Sequence, residues 1–306
     1  LSHPSAHRRA LRPRLRPGSE AMTDYDKYLR LDKFPLIWCP GCGDGIVLKA
    51  ILRAVDRIGL TRDEICMVSG IGCSSRTPGY VDFNTLHTTH GRALAFATGV
   101  KMARPELTVI VVTGDGDATA IGGNHFIHAA RRNIDITVLL YNNWIYGMTG
   151  GQASPTTPRG KRASTAQFGS FEPNFDIVAL AAGAGASFVA RETVAKPVAL
   201  DKLIERAIRK KGFSLVEVMT PCPTTYGRRN KPADPLLMVQ DLKDRSVPRG
   251  KAEDLPEEDR ESAIVTGVFV DVNKPEYTEQ YGQLVERLGG PRTAPAAAPS
   301  GGSEAP

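Results

Sequence analysis

The chain has 306 residues, of which 41% are hydrophobic and 24% charged, with a formal net charge of +6. That length buries one sizeable core with room for a smaller lobe, and no apolar run reaches the ~18 residues a membrane span needs. The charge is confined: residues 1–21 hold five arginines and one glutamate, contributing +4 and leaving about +2 for the rest. A nucleic-acid footprint would instead cluster on the fold, so no nucleic-acid partner is expected.

Residues 1–21 lack the apolar stretch of a secretory signal. They are Arg-rich and acid-poor like an organellar transit peptide but show no clear apolar stripe, and are expected to be a non-native or disordered leader: translated upstream sequence or an extended start before Met22. Residues 22–38 read as an extended lead-in. Asp44–Ile58 then carries Ile46, Val47, Leu48, Ile51, Leu52, Val55 and Ile58, the spacing of one buried helix face. Ile65–Ser69 is a short apolar strand ending at Gly70-Ile71-Gly72-Cys73-Ser74-Ser75, and 91–103 is a helix packed through small residues. Residues 107–113 form a continuous apolar run, as a strand buried on both faces should; 118–132 is helical in spacing and 136–141 is the next buried strand. A long Gly/Pro/Thr-rich loop reaches about residue 167, and loops of that length are usually functional or disordered. Helix 175–182, strand 186–190, helix 199–211 and strand 213–219 complete a doubly wound parallel sheet. Residues 231–292 are charged and weakly periodic, a C-terminal arm or lobe, and 293–306 is a low-complexity tail expected to be disordered.

Between strands 107–113 and 136–141 the chain reads Gly114-Asp115-Gly116 and, 25 residues later, Asn142-Asn143. Both motifs fall at carboxyl ends of parallel strands, where open α/β sheets bind ligands. A carboxylate and an amide oxygen there supply the hard ligands a diphosphate-bound Mg²⁺ needs. The glycines let backbone approach a phosphate, and the following helix offers its N-terminal amides. An ordinary βα turn followed by a polar loop is the alternative. Asp117, just beyond, suits a first helical turn.

Five cysteines occur: Cys39, Cys42, Cys66, Cys73 and Cys222. An odd number, with one CxxC beside glycines, is no secreted disulfide framework, and a reducing cytoplasm is expected. Cys73 and Cys222 each follow a strand, hence share a sheet edge with Asp115 and Asn143. Four thiolates converging there would fit an iron–sulfur cubane or a structural zinc, and spacing alone does not choose. A CxxC without partners would be a redox pair. Cys66, inside a strand, reads as a core residue.

GDG…NN resembles the signature of thiamine-diphosphate (TPP) enzymes. The ordered series WCPGCGDG (38–45), GIGCSSR (70–76), HTTHGRA (87–93), YGMTGGQ (146–152) and PCPTTYGRRN (221–230) resembles the β subunit of 2-oxoacid:ferredoxin oxidoreductases, over roughly residues 25–230. The resemblance implies a TPP/Mg²⁺-binding α/β domain spanning 22–230, with Gly114, Asp115, Gly116 and Asp117 at the diphosphate. Mg²⁺ would be held by Asp115, the Asn143 side chain and the Ile145 carbonyl. One 4Fe-4S cluster would sit on Cys39, Cys42, Cys73 and Cys222. Ile71, Gly72, Cys73 and Ser74 would line the thiamine ring, and Gly147 and Met148 would contact TPP, with Met148 also shaping the substrate pocket. His87, His90 and Arg92 are candidates for diphosphate or active-site contacts; His87 and His90 lack a third partner for metal ligation. Arg76 would meet a substrate carboxylate, for which a fixed guanidinium is suited. Some relatives carry Lys where this chain has Gly150, so that contact does not carry over. Arg228 and Arg229 would contact a partner subunit, ferredoxin or CoA phosphates. Together these features look most like the 2-oxoglutarate branch (2-oxoglutarate synthase): decarboxylation of the 2-oxoacid on TPP, transfer of the acyl group to coenzyme A, and two single electrons passing through the cluster to ferredoxin. Pyruvate or a broad 2-oxoacid range stays open, as does a non-redox TPP enzyme with structural zinc. Such enzymes activate the aminopyrimidine with a glutamate from a second α/β domain, so an α subunit is expected, in an αβ or (αβ)₂ assembly.

Overall fold

A computed structural model of the chain describes residues 23–260 and 262–289; the leader and tail expected at 1–21 and 293–306 lie outside the described residues. The sheet has eight strands: β1 (Ile65–Ser69), β2 (Asn84–His87), β3 (Thr108–Gly114), β4 (Thr137–Asn142), β7 (Phe188–Thr193), β8 (Ser214–Met219), β9 (Ser246–Pro248) and β10 (Ile264–Asp271). Their spatial order is β2-β1-β3-β4-β8-β7-β10-β9. The six strands from β2 to β7 are parallel, and β10 adds antiparallel to β7.

Alternation along the strands builds two cores. Ile65, Met67, Ile110 and Val112 face α1 (Asp44–Ile58) and α6 (Pro197–Arg209). Cys66, Val68, Val109 and Val111 face α3 (Ala93–Ala103), α4 (Gly123–Arg131) and α5 (Ile177–Ala184). Buried on both faces, these strands read as continuous apolar runs. Cys66 is a core residue. Helix ends follow local chemistry: Asp176 accepts from the Val178 and Ala179 amides at the start of α5, and Gly59 stops α1 at φ +82°.

Four expectations shift. Residues 22–38 contain two short 3₁₀ turns, Asp26–Tyr28 and Leu31–Lys33, and an antiparallel bridge from Leu29 to Val81 rather than a plain extended lead-in. β2 was not foreseen: its Asn-Thr-Leu-His sequence is a polar edge strand without an apolar signal. The helix after GDG begins as a π-turn, Asp117–Ile121, before α4; π-turns recur at functional sites. The described part of 231–292 does not stand apart, since β9 and β10 extend the main sheet, Met238 and Leu242 of α8 (Pro235–Asp244) join one core and Tyr277 of α10 (Tyr277–Arg287) packs against the other. Gly267 at φ +115° and a register shift between Val268 and Val270 interrupt β10, which blurs its period in the sequence.

Candidate active site

The carboxyl ends of β1, β3 and β4 open on a cavity of about 530 Å³. Its walls include Ile71, Gly72, Cys73 and Ser74 after β1; Gly114, Asp115, Gly116 and Asp117 after β3; and Asn143, Ile145, Gly147 and Met148 after β4, with His90 at the side. The structure thus brings together three loops that are distant in sequence. Met148 is half exposed in this lining. Arg76, His87 and Arg92 do not line the cavity. Arg76 is exposed on a 3₁₀ turn, His87 Nδ1 pairs with Ser69 Oγ at 2.9 Å, and Arg92 donates to the Ile121 carbonyl at 3.0 Å.

Asp115 is buried, and Ser154 and Thr156 hydroxyls both donate to its Oδ2 at 2.5 Å, with no side chain donating to Oδ1. Burial pushes its carboxyl up to about 6, partly offset by those two donors. A buried carboxylate fixed through one oxygen is a suitable cation ligand, since a divalent ion supplies the charge compensation that burial removes. The adjoining turn is set by Asn142. Its Oδ1 accepts from the Trp144 amide at 3.1 Å and from the Thr156 hydroxyl at 3.0 Å, while its Nδ2 donates to Glu217 at 2.7 Å. Glu217 is held from the other side by Arg191 at 2.6 Å. Trp144 is thereby kept at φ +64°, a region non-glycine residues rarely occupy. That bend places Asn143 and Ile145 in the cavity wall that also holds Asp115, with Asn143 Oδ1 accepting from the Ile145 amide at 3.2 Å. The donor set of carboxylate, amide oxygen and carbonyl fits Mg²⁺.

Asp117 serves the walls. Its Oδ1 accepts from the Gly91 amide at 2.7 Å and the Ile71 amide at 3.3 Å, its Oδ2 accepts from Thr113 at 2.7 Å, and His90 Nδ1 lies 2.7 Å from Oδ1. One buried carboxylate therefore ties the loops after β1, β2 and β3. The fit is close: a Cβ at Gly70 would come within 2.1 Å of Asp117, and one at Gly91, where φ is +70°, within 2.4 Å of Ile121 and 2.7 Å of the Gly122 nitrogen.

The cysteines gather behind Gly147, whose Cβ position lies 3.5 Å from both Cys73 Sγ and Cys222 Sγ. Burial pushes the Cys73 thiol up to about 12, with the charges of Asp44, Cys222 and Cys39 adding to it. Burial also raises the Cys42 thiol, followed by Asp44, with Cys73 contributing. The four thiols thus share one electrostatic neighbourhood. Trp38 Nε1 donates to the Cys73 carbonyl at 2.7 Å, and Thr225 pairs with Cys222 Sγ at 2.9 Å. Among the described residues, no three His, Cys, Asp or Glu groups approach closely enough to hold a single metal ion. Tetrahedral zinc draws every sulfur to ~2.3 Å of one point, whereas a cubane spreads its thiolates over separate irons.

Sequence reasoning did not single out Asp44 or Tyr141; Tyr146, Thr149 and Gln152 fall within its YGMTGGQ run without a role of their own, and the Ser154 and Thr156 donors follow shortly after that run. Asp44 is buried, and burial pushes its carboxyl up to about 6, partly offset by the neighbouring Cys42 thiol and Thr220 hydroxyl. The CxxCGD run was its available signal; for Ser154 and Thr156 there was none beyond a hydroxyl-rich loop.

The thiamine pyrophosphate enzyme C-terminal TPP-binding domain matches residues 70–218. The chain is similar to the 2-oxoglutarate synthase subunit KorB of Methanocaldococcus jannaschii, 53% identical over 86% of this chain and 97% of the relative. It is also similar to KorB of Archaeoglobus fulgidus, 51% identical over 87% and 94%. Among solved structures it resembles a chain of the 2-oxoglutarate:ferredoxin oxidoreductase from Magnetococcus marinus with 2-oxoglutarate, coenzyme A and succinyl-CoA bound, at a TM-score of 0.79 and 35% identity, covering 91% of this chain and 94% of that one. With a cavity of this build and relatives at this identity over nearly their full length, the chain belongs to the family of 2-oxoglutarate synthase KorB subunits, TPP-dependent enzymes of the 2-oxoacid:ferredoxin oxidoreductase class.

Proposed function

We propose that this chain is the β subunit of a 2-oxoglutarate:ferredoxin oxidoreductase, binding TPP through Mg²⁺ in the cavity and one 4Fe-4S cluster on Cys39, Cys42, Cys73 and Cys222. The observation that carries this is the shared wall: Asp115, Asn143 and Ile145 line the same cavity as Cys73 and Gly147, and Gly147 abuts both Cys73 and Cys222. The reaction converts 2-oxoglutarate and CoA to CO₂, the CoA thioester of the shortened acid and one proton, with two electrons leaving singly. TPP supplies the electron sink for decarboxylation.

The residues of this chain have distinct tasks. Asp115, Asn143 and the Ile145 carbonyl would grip the cation, while Ser154 and Thr156 hold Asp115 in place. The backbone at the start of the π-turn, which lines the cavity at Gly116 and Asp117, would offer its amides to a phosphate. Ile71 to Ser74 and Gly147 wall the thiamine ring, and Met148 bounds the substrate side. The cysteine ligands place an electron exit against that wall. Arg76, exposed and outside the cavity, would reach a substrate carboxylate only with movement of its turn; its charge does act on the Cys73 thiol. No glutamate of the described residues lines the cavity, so the group that activates the aminopyrimidine would come from an α subunit, in an αβ or (αβ)₂ assembly. Among the described residues, no helix is long and apolar enough to cross a membrane.

The test is anaerobic co-purification with the α partner, followed by methyl-viologen reduction with CoA and either 2-oxoglutarate or pyruvate. Turnover with 2-oxoglutarate that requires both subunits is expected. Turnover by this chain alone, or with pyruvate only, would overturn the assignment.

A further inference from the structure

The four cysteines differ in exposure: Cys73 lines the cofactor cavity, Cys42 and Cys222 are half-buried, and Cys39 is exposed. These ligands would hold a cluster between the cavity, at Cys73, and solvent, at Cys39. The surface around Cys39 is distinctive. The turn Pro40-Gly41 is clasped by one continuous segment, because a Cβ at Gly41 would lie 2.2 Å from Pro235 and 3.7 Å from Pro223. Four residues before Gly41 in the chain, Ile37 is 62% exposed, and directly after Pro235, Leu236 and Leu237 are 76% and 54% exposed. The clasping segment carries Arg228, Arg229 and Lys231, all exposed. Asn230 bonds both the amide and the carbonyl of Arg162 at 2.7 and 2.9 Å, which brings the exposed Arg159, Lys161 and Arg162 alongside.

Six cations thus stand on two abutting segments. Asp234 is the one acidic residue in 159–162 and 228–235, and it is spent capping the amides of Leu236 and Leu237. None of the six closes a salt bridge with a described residue, whereas Arg191 and Arg245 nearby are paired. Arg229 has a second duty, donating to the carbonyls of Thr225 and Gly150.

We infer that this surface, an apolar centre of Ile37, Leu236 and Leu237 beside the basic 228–231 and 159–162 segments, is where an acidic one-electron carrier protein docks against Cys39. This rests on the proposed cluster. Cys39 is the exposed member of the proposed ligand set, so an acceptor taking electrons from that site would meet this face. Each turnover reduces two carriers in sequence, one electron each, so the complex must form and dissociate twice. Electrostatic attraction around a small apolar centre suits that demand: it raises the encounter rate up to 10–10³-fold without requiring a long-lived complex.

The test uses the anaerobic αβ complex with 2-oxoglutarate and CoA, and compares an acidic ferredoxin with methyl viologen as acceptor. Charge reversal in Arg228→Glu/Lys231→Glu is expected to raise the KM for ferredoxin about tenfold and leave the viologen rate within about twofold. In the unaltered complex the ferredoxin KM should climb steeply with salt. An unchanged ferredoxin KM in the double variant, equal losses with both acceptors, or dissociation of the α subunit would each overturn the docking assignment. Failure of the unaltered complex to reduce either acceptor would instead remove the functional reading beneath it.

Discussion

Asn142→Ala tests how the metal-binding turn is built. The substitution orphans the buried Trp144 amide and removes one of the two partners of the buried Glu217, which keeps Arg191. An unsatisfied buried polar group costs about 1–3 kcal/mol. With Arg191 still in place the Glu217 share falls at the low end, so a total loss of about 2–4 kcal/mol is expected. Trp144 would also be freed from its φ of +64°, displacing Asn143 and Ile145 from Asp115. Residues that orient metal ligands typically change metal affinity 10–100-fold when removed, and the same loss in Mg²⁺ affinity is expected here. Urea unfolding gives the first quantity, and a Mg²⁺ titration of TPP binding to the αβ complex by calorimetry gives the second. A variant that loses stability yet half-saturates at the unaltered Mg²⁺ concentration would refute the positioning argument, as would one that changes in neither assay.

Four further outcomes follow from named contacts. Asp115 must be ionised to hold Mg²⁺, and its carboxyl sits near 6 before binding; apparent Mg²⁺ affinity should therefore be flat above about pH 7 and fall toward tenfold per pH unit below about 6. In the metal-free protein the buried carboxyls contribute the opposite slope. Asp44 and Asp115 hold protons in the folded state that the unfolded chain has already released, so their contribution to stability falls as pH rises from about 4 to about 6 and is level above; an Asp44→Asn/Asp115→Asn variant whose stability relative to the unaltered protein does not rise through that window would contradict the burial argument. Cys222→Ser should abolish cluster absorbance while TPP and Mg²⁺ still raise the melting temperature, and loss of both would show that the cysteine site is needed for the fold. Lys101 is buried, pairing with Asp135 at 2.8 Å and the Leu107 carbonyl at 2.9 Å; Lys101→Ala should cost about 3 kcal/mol in urea unfolding, and a loss below about 1 kcal/mol would place that pair among the weak surface ones.

Much of this molecule was legible because parallel strands buried on both faces leave uninterrupted apolar runs. β1, β3, β4 and β8 could be found within a residue or two, and with them the sheet edge to which Asp115, Asn143, Cys73 and Cys222 belong. What the pattern hid has physical causes. β2 has no fully buried side chain, and a four-residue polar edge strand leaves no periodic trace. β10 is broken by Gly267 and its register shift, so its place in the sheet depends on pairing with β7, a contact far away in sequence. Site chemistry was divided in the same way. Ligand-type residues stand out in glycine-rich turns, whereas Asn142, Thr156 and Ser154 act by hydrogen bonds that exist only once the loop folds back. Asp117 looked like a residue for the helix dipole; its partners lie 4 to 46 residues away, on β3 and on the loops after β1 and β2, and only the fold assembles them. Arg76, His87 and Arg92 carry suitable chemistry in suggestive sequence, yet their side chains are engaged or exposed outside the cavity.

The most direct measurement mixes anaerobic αβ complex, loaded with TPP and Mg²⁺, with 2-oxoglutarate and CoA while following visible absorbance. Brown protein whose band bleaches on mixing, only when TPP is present and not in the Cys222→Ser variant, is the expected result. Colourless zinc-bearing protein, or a cluster that dithionite bleaches and substrate does not, would contradict a redox centre set against the cofactor wall.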